Sequence, residues 1–316
     1  MKRSVRLVAI GMIAIVAIAA CSSDKKAETT TGSSSSSSSS GASAAAKPSI
    51  TIGSQDFGES AILAEIYKQG LTAKGFTVDT QKLGGFRDLE IKAFDGGTIN
   101  FAPEYAASML EFLNGKKGEA TSDVTETVGK LKPQLDTKGL AALDVTDAVD
   151  TNALVMTKAK SDQLGIKSLS DLAAKGANLK LGGPADCETN AFCIPGLKKV
   201  YNLDLSGSFQ ALETSAVAPA LDAGSIDIAL LFSTDGRIAA NNYVLLQDDK
   251  HMLAADNIIP VMKKELASNS DLASAVNTIG KKITTQSLID MNKRFDVDKE
   301  DAAVIAKDFL TQNGLI

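Results

Sequence analysis

The chain has 316 residues, a formal net charge of −5 and a single histidine. Hydrophobic residues make up 44% of the sequence and charged residues 22%, which is the composition of an ordinary globular protein. The acidic balance disfavours a broad nucleic-acid-binding surface, so no nucleic-acid partner is expected.

The first residues have the pattern of an export signal. Basic residues at positions 2, 3 and 6 precede an apolar run over 7–20, which is too short for a membrane span of about 20 residues. Ile-Ala-Ala stands directly before Cys21 and resembles a bacterial lipobox. The resemblance implies a signal peptide over 1–20, cleavage before Cys21 and a diacylglycerol on its sulfur. An ordinary signal peptide and an uncleaved anchor are the alternatives.

A tether is predicted over 21–47. Serine, threonine, glycine and alanine dominate it, with an unbroken serine run over 33–40. Such a segment has too few large apolar side chains to offset the entropy of ordering it. About 26 residues of flexible coil have an average span of roughly 25–30 Å, which keeps a globular domain close to a membrane partner.

Two cysteines remain after Cys21. Cys187 and Cys193 are six residues apart, and an exported chain with two such neighbours favours a disulfide between them. Closing so short a loop contributes about 2–3 kcal/mol in the chain-entropy model. Two free thiols are the alternative, and a metal site is disfavoured because His251, the one histidine, is distant in sequence.

Strands and helices alternate through the rest of the chain, which predicts an α/β fold. A helix over 59–74 has Ile62, Leu63, Ile66 and Leu71 on one face, and Gly75 stands at its C-terminal end. From residue 258 onward the pattern is mainly helical. Further strands are predicted at 50–53, 76–81, 99–101, 152–157, 179–182 and 227–231, and further helices at 87–94, 103–113, 169–175 and 218–223.

Seven short blocks, in order along the chain, resemble the glycine betaine/carnitine/choline-binding proteins. Each block is a weak signal, but together they cover the whole predicted globular region. They are Ile-Thr-Ile-Gly-Ser-Gln-Asp-Phe-Gly-Glu-Ser at 50–60, Leu-Gly-Gly at 83–85, Pro-Glu-Tyr at 103–105, Pro-Gly-Leu-Lys-Lys-Val-Tyr at 195–201, Phe-Ser-Thr-Asp-Gly-Arg-Ile at 232–238, Leu-Gln-Asp-Asp-Lys-His at 246–251 and Pro-Val at 260–261.

The resemblance implies a type II periplasmic-binding fold, in which two α/β lobes joined by two crossovers enclose the ligand. The first lobe is expected over 48–150 plus 247–316, and the second over 151–246. It also implies an extracytoplasmic receptor, lipid-anchored at the membrane, that delivers a quaternary-amine osmoprotectant to the permease and ATPase subunits of an ABC importer. We expect a monomer without cofactor or metal.

A quaternary ammonium cannot donate a strong hydrogen bond, so proteins hold it by cation–π contacts. In the family the aromatic positions correspond here to Tyr105, Asn152, Tyr201 and Phe232. Asn152 departs from the pattern, since many members have an aromatic residue there. Phe86 is another departure, where Thr or Asp is common. With 5% aromatic residues and no tryptophan, a full aromatic box is not expected.

Polar candidates complete the predicted ligand-binding set. Gln55 lies where the first strand meets its helix, a usual place for ligand contacts, with helix capping as the alternative. Thr234 and Asp235 belong to the Ser-Thr-Asp-Gly motif, where Asp235 pairing with Arg237 at a helix start is the alternative. Packing in the core is the alternative for Tyr105, Tyr201 and Phe232, and capping or turning of the crossover for Asn152.

Other functions fit less well. The sequence shows no metal-ligand cluster and no nucleophile elbow, which disfavours an enzyme. A binding protein that acts as a sensor without transport remains open. Within the receptor class, the altered aromatic positions leave a neutral or aromatic solute as the alternative ligand, since Phe86 and Tyr105 could stack on a ring.

Overall fold

Residues 47–316, which are the residues that the computed structural model describes, form ten β-strands and thirteen α-helices. The predicted signal peptide, Cys21 and the tether up to residue 46 lie outside this range. None of the helices within 47–316 is long and apolar enough to cross a bilayer.

The strands form two separate five-stranded sheets. The strands are β1 Ser49–Ser54, β2 Thr77–Lys82, β3 Phe101–Tyr105, β4 Leu140–Ala142, β5 Asn152–Thr157, β6 Leu181–Gly183, β7 Phe209–Ala211, β8 Ile228–Phe232, β9 Tyr243–Leu245 and β10 Ile258–Lys263. The first sheet has the order β2-β1-β3-β10-β4 and the second β7-β6-β8-β5-β9. Each sheet with the helices packed on it is one lobe.

The helices cover both lobes. They are α1 Gly58–Ala73, α2 Arg87–Asp95, α3 Ala106–Leu113, α4 Val124–Thr137, α5 Lys158–Leu164, α6 Leu169–Lys175, α7 Ile194–Tyr201, α8 Thr214–Asp222, α9 Arg237–Ala240, α10 Lys264–Ala267, α11 Ser270–Gly280, α12 Thr285–Asp296 and α13 Ala302–Gln312. A short 3-10 turn, Ala185–Glu188, follows β6.

The first lobe has its core around α1 and the sheet behind it. The four apolar residues predicted to share one face of this helix, at positions 62, 63, 66 and 71, are fully buried. Burying such a side chain contributes about 1.5–3 kcal/mol, so this face fixes α1 on the sheet. The helix ends as predicted, since Gly75 has a φ of +80°, a conformation that glycine adopts without strain.

Two secondary-structure predictions were wrong. Residues 103–105 belong to β3 rather than to a helix, and α3 begins only at Ala106. Residues 258–263 form β10, which pairs antiparallel with both β3 and β4, and Pro103 lies opposite Pro260 in this ladder. The pairing joins segments about 150 residues apart, so local patterns could not indicate it. The helical periodicity predicted further along is confirmed in α11, where Leu272, Val276 and Ile279 are buried.

The chain passes between the lobes twice, through residues 143–151 and 246–257. The two connecting segments lie side by side, because the backbone N–H of Asp150 donates to the carbonyl of Asp256 at 3.0 Å. Val149 and Asn257 form an antiparallel bridge next to this bond.

Candidate ligand-binding cleft

A cavity of about 890 Å³ lies between the two lobes. Its walls come from the carboxyl ends of β1, β2 and β3 in the first lobe and of β6, β7 and β8 in the second, together with the segments after them, and both connecting segments contribute to it. Ligands of open α/β sheets gather at such carboxyl ends of strands, and small-molecule sites usually measure about 300–1,000 Å³. The cavity is therefore the candidate site.

Aromatic rings are the main apolar feature of this cavity. The ring of Phe57 stacks on Phe86 with centroids 6.4 Å apart and lies 6.0 Å from the ring of Tyr105, so the three form a row on the first lobe. Phe86 is 54% exposed and Phe232, on the opposite lobe, is 37% exposed. Six aromatic residues line the cavity in total: Phe57, Phe86, Tyr105, Phe112, Phe192 and Phe232.

Half of these rings were missed from the sequence. Phe57 directly follows Gln55 and Asp56 at the end of the first strand, so its position could have indicated it. Phe192 lies inside the cysteine loop and Phe112 on the last turn of α3. Neither belongs to a block that resembles the family, and no local pattern separates them from core residues.

Gln55 lines the cavity, and the hydrogen bonds of its Nε2 fix the orientation of its side-chain amide. Its Nε2 donates to Glu90 Oε2 at 3.1 Å and to Glu104 Oε1 at 2.9 Å. Arg87 in turn donates from Nε and Nη2 to the two oxygens of Glu104, both at 2.7 Å. Both amide hydrogens of Gln55 are thus engaged, and no described residue donates to its Oε1. Gln55 presents an acceptor to the cavity.

Glu90 is the least usual member of this cluster. It is fully buried, and its Oε1 has no partner among residues 47–316. Burial, reinforced by Glu104, raises the pKa of Glu90 well above its ordinary value. Burial therefore favours the protonated form of Glu90, and Arg87 is the hydrogen-bond partner of Glu104.

A second buried network connects the two lobes. Glu59, on α1, accepts hydrogen bonds from the hydroxyl of Tyr105 at 2.7 Å, from that of Thr234 at 2.7 Å and from the amide of Asn292 at 2.5 Å. Tyr105 belongs to the first lobe and Thr234 follows β8 of the second. Burial raises the pKa of Glu59, and the three donors oppose that shift. The ring of Tyr105 lines the cavity while its hydroxyl is held in this network.

Each connecting segment places one carboxyl group on the cavity. Asp256 accepts from the backbone N–H of Ala107 at 2.8 Å and of Ser108 at 3.0 Å, at the start of α3. Burial raises the pKa of Asp256 to about 6. Asp150 accepts from the N–H of Thr234 at 3.2 Å, and burial together with Glu59 raises the pKa of Asp150 well above its ordinary value.

The predicted disulfide between Cys187 and Cys193 is confirmed, with the two Cα atoms 5.2 Å apart and both cysteines fully buried. Two free thiols, the alternative, are thereby ruled out. The loop that it closes supplies Phe192 to the cavity. Asn152, which also lines the cavity, donates from Nδ2 to the carbonyl of Phe192 at 3.1 Å. The disulfide and Asn152 together hold this aromatic ring in place.

Titratable side chains around the cavity are mainly acidic. Six carboxyl groups line it, against two basic side chains. Arg87 is bound to Glu104 as described, and Lys116 donates to the hydroxyl of Thr189 at 2.6 Å. The carboxyl groups belong to Asp88, Glu111, Asp150, Asp186, Glu213 and Asp256.

Three of the predicted ligand-binding residues do not line the cavity. Tyr201 is 4% exposed in the core of the second lobe, where its hydroxyl donates to Asp248 at 2.5 Å, so the structure favours the core alternative. Asp235 accepts from Arg237 at the start of α9, which is the other alternative considered. Thr234 is buried in the Glu59 network. The ligand roles of Gln55, Phe86, Tyr105, Asn152 and Phe232, which do line the cavity, remain predictions.

Known proteins resemble this chain over most of its length. Residues 48–312 match the family described as the substrate-binding domain of ABC-type glycine betaine transport systems. A glycine-betaine-binding protein of Pseudomonas aeruginosa is 26% identical over 281 residues, which are 85% of this chain and 89% of that protein. The carnitine transport binding protein OpuCC of Listeria monocytogenes is 23% identical, over 85% of this chain and 88% of that protein.

A crystal structure of a glycine betaine/carnitine/choline ABC transporter superposes with a TM-score of 0.71 at 24% identity, covering 85% of this chain and 99% of that one. This likeness confirms the two-lobed, type II periplasmic-binding fold. Proteins of the matched family are extracytoplasmic receptors that bind small solutes and work with ABC permease components; they are not enzymes. The chain belongs to this family of substrate-binding domains of ABC-type glycine betaine transport systems.

Proposed function

We propose that this protein captures a quaternary-amine osmoprotectant, of the glycine betaine, choline or carnitine class, between its lobes and delivers it to the permease of an ABC importer. The observation that carries the proposal is the set of six aromatic rings around a cavity of about 890 Å³. A ring face attracts a cation by about 0.5–2 kcal/mol, and several rings surround a trimethylammonium group from different sides.

Isothermal titration of residues 47–316 with glycine betaine, choline and carnitine tests this proposal. We expect micromolar binding of at least one of them. Phe86→Ala should weaken it about tenfold, since one cation–π contact is removed from the cleft that closes around the ligand in this proposal. Phe86 is exposed, so its truncation should leave the fold intact. Leu245→Ala is the matched control, because Leu245 is 47% exposed and does not line the cavity.

Heat from none of the three ligands would contradict the proposal. The family and the fold would stand, and the row of Phe57, Phe86 and Tyr105 would then favour a flat neutral or aromatic solute. Equal losses in Phe86→Ala and Leu245→Ala would show that the cavity is not the site.

The lobes close around the ligand in this proposal, with 48–150 plus 247–316 moving as one body and 151–246 as the other. The division is supported by the separate sheets and by the two short segments that connect them. Small-angle scattering should show a smaller radius of gyration when the ligand is bound. An unchanged radius at saturating ligand would contradict the closure.

Attachment to the membrane is proposed through lipid on Cys21 and the tether over 21–47. The sequence pattern before Cys21 is the support for this. Cys21→Ser should shift the full-length protein from the membrane fraction to the soluble fraction, and mature protein from cells should carry the mass of the lipid. Light scattering of residues 47–316 should give the mass of a monomer.

A further inference from the structure

The polar groups around the cavity indicate which kind of cation it prefers. Osmoprotectants with a quaternary amine are of two kinds: zwitterions, which also carry a carboxylate, and plain cations, which carry instead a neutral polar group such as a hydroxyl. A carboxylate requires a basic side chain or free backbone N–H groups. A hydroxyl is satisfied by an acceptor. The polar groups around the cavity distinguish these cases, provided that the proposed function holds.

Only two of the described residues that line the cavity are basic, and each already has a protein partner. Arg87 has Nε and Nη2 on the two oxygens of Glu104, at 2.7 Å each. Lys116 is engaged with Thr189. These are the two basic residues that line the cavity, and six carboxyl groups line it as well. Glu111 is engaged with backbone N–H groups of residues 118–120, and even so the remaining carboxyl groups outnumber the basic ones.

Helix N-termini at the cavity already have an acidic side chain close to them. The first turns of α2, α3 and α8 contribute residues to its lining, and such termini favour an anion. Each has an acidic side chain of its own: Asp88 in the first turn of α2, Asp256 on the first N–H groups of α3, and Glu213 directly before α8. A ligand carboxylate placed at any of them would meet a like charge.

Acceptor oxygens are what the cavity offers instead. The amide of Gln55 is oriented by Glu90 and Glu104 so that its Oε1 faces the cavity. The amide of Asn152 is oriented in the same way, since its Nδ2 donates to the carbonyl of Phe192 and no described residue donates to its Oδ1. One acceptor thus comes from each lobe. An unfilled acceptor in a closed cleft costs about 1–3 kcal/mol, which penalises a ligand without a donor.

We infer that the cleft selects a cation that carries a hydroxyl or N–H donor and no carboxylate, and that Gln55, positioned by Glu90 and Glu104, is a specificity-determining residue for it. The aromatic rings surround the cationic end. Gln55 accepts from the hydroxyl hydrogen after the lobes close, and Asn152 offers a second acceptor to a ligand with more than one donor.

Three probes with the same trimethylated nitrogen test the inference by titration of residues 47–316. Choline has the hydroxyl, glycine betaine has a carboxylate in its place, and tetramethylammonium has neither. We expect choline to bind about tenfold more tightly than either of the others, because one hydrogen bond to an oriented acceptor is worth roughly that factor. Gln55→Met removes the acceptor and should bring choline close to tetramethylammonium, whose own affinity should change less than threefold.

Glu213→Gln gives an independent test that does not disturb the buried cluster, since Glu213 is exposed. It frees the start of α8 from its acidic side chain, so the affinity for glycine betaine relative to that for choline should rise severalfold. Glycine betaine binding as tightly as choline to the unaltered protein would overturn the inference and leave the proposed function standing. Absence of binding by these three probes and by carnitine would overturn the proposed function itself.

Discussion

Asp256 joins the second connecting segment to the start of α3, and its titration should be visible in the stability of the protein. Burial raises its pKa from an ordinary 3.8 to about 6. Between these values the folded protein holds a proton that the unfolded chain releases, so the free energy of unfolding falls as the pH rises. A difference of about two pKa units corresponds to a contribution of about 3 kcal/mol to the free energy of unfolding. This contribution is present below pH 4 and lost above pH 6.

Asp256→Asn should remove this dependence while preserving the local structure. The side-chain oxygen of asparagine can still accept from the backbone N–H of Ala107 and Ser108, and its amide can donate to the hydroxyl of Ser108, which now donates to Asp256 at 2.5 Å. Urea unfolding of residues 47–316 between about pH 4 and pH 7 measures the effect. Across this range the free energy of unfolding of the unaltered protein should fall by about 3 kcal/mol more than that of the variant.

The control is Asp88→Asn, which removes an exposed carboxyl from the rim of the same cavity. It should leave the pH dependence of the free energy of unfolding unchanged. Glu90, another buried carboxyl group with a raised pKa, is present in both proteins, so its effect cancels in the comparison. Parallel pH profiles for Asp256→Asn and the unaltered protein would refute the assignment of this proton to Asp256.

Three further predictions concern the fold around the site. Tyr105→Phe removes one of the three donors to Glu59 and should lower the free energy of unfolding by about 2 kcal/mol, while ligand affinity stays within threefold because the ring remains. Gly236→Ala would bring a Cβ onto the backbone of α12 and should lower the stability of the protein by about 1–3 kcal/mol, measured by thermal unfolding. Gly129→Ala is the control: its Cβ would meet nothing within 4 Å, so this change should be neutral or stabilising. Reducing the disulfide should lower stability by about 2 kcal/mol and weaken ligand binding, since the loop that carries Phe192 is released; unchanged affinity would contradict this.

The sequence was most informative where local chemistry decides the structure. The face of α1, the glycine that ends it and the pairing of Cys187 with Cys193 all depend on residues close together in the chain. The order of short family-like blocks indicated the two-lobed fold before any strand pairing was visible. Local patterns were insufficient at β3 and β10, where Pro103 and Pro260 face each other across a ladder that joins distant segments.

The site residues also divide into those that a local pattern could indicate and those that depend on contacts made only in the folded protein. Gln55 and Phe86 lie on the loops after β1 and β2, and their positions at strand ends indicated the cavity. Tyr201 was placed at the site by resemblance, yet its hydroxyl is bound to Asp248 and its ring lies in a core. The orientation of Gln55 could not be predicted at all, because it depends on Glu90 and Glu104, which approach it only in the folded protein.

The placement of β10 between β3 and β4 also determines the order in which the lobes become complete. The second lobe is continuous in sequence from β5 to β9, so its strands can pair as soon as this segment has crossed the membrane. The first lobe must wait for residues 258–263, because its sheet is divided until β10 joins β3 to β4. We therefore expect the segment synthesised first to finish folding last, and its exposed strands to depend longest on protection from aggregation.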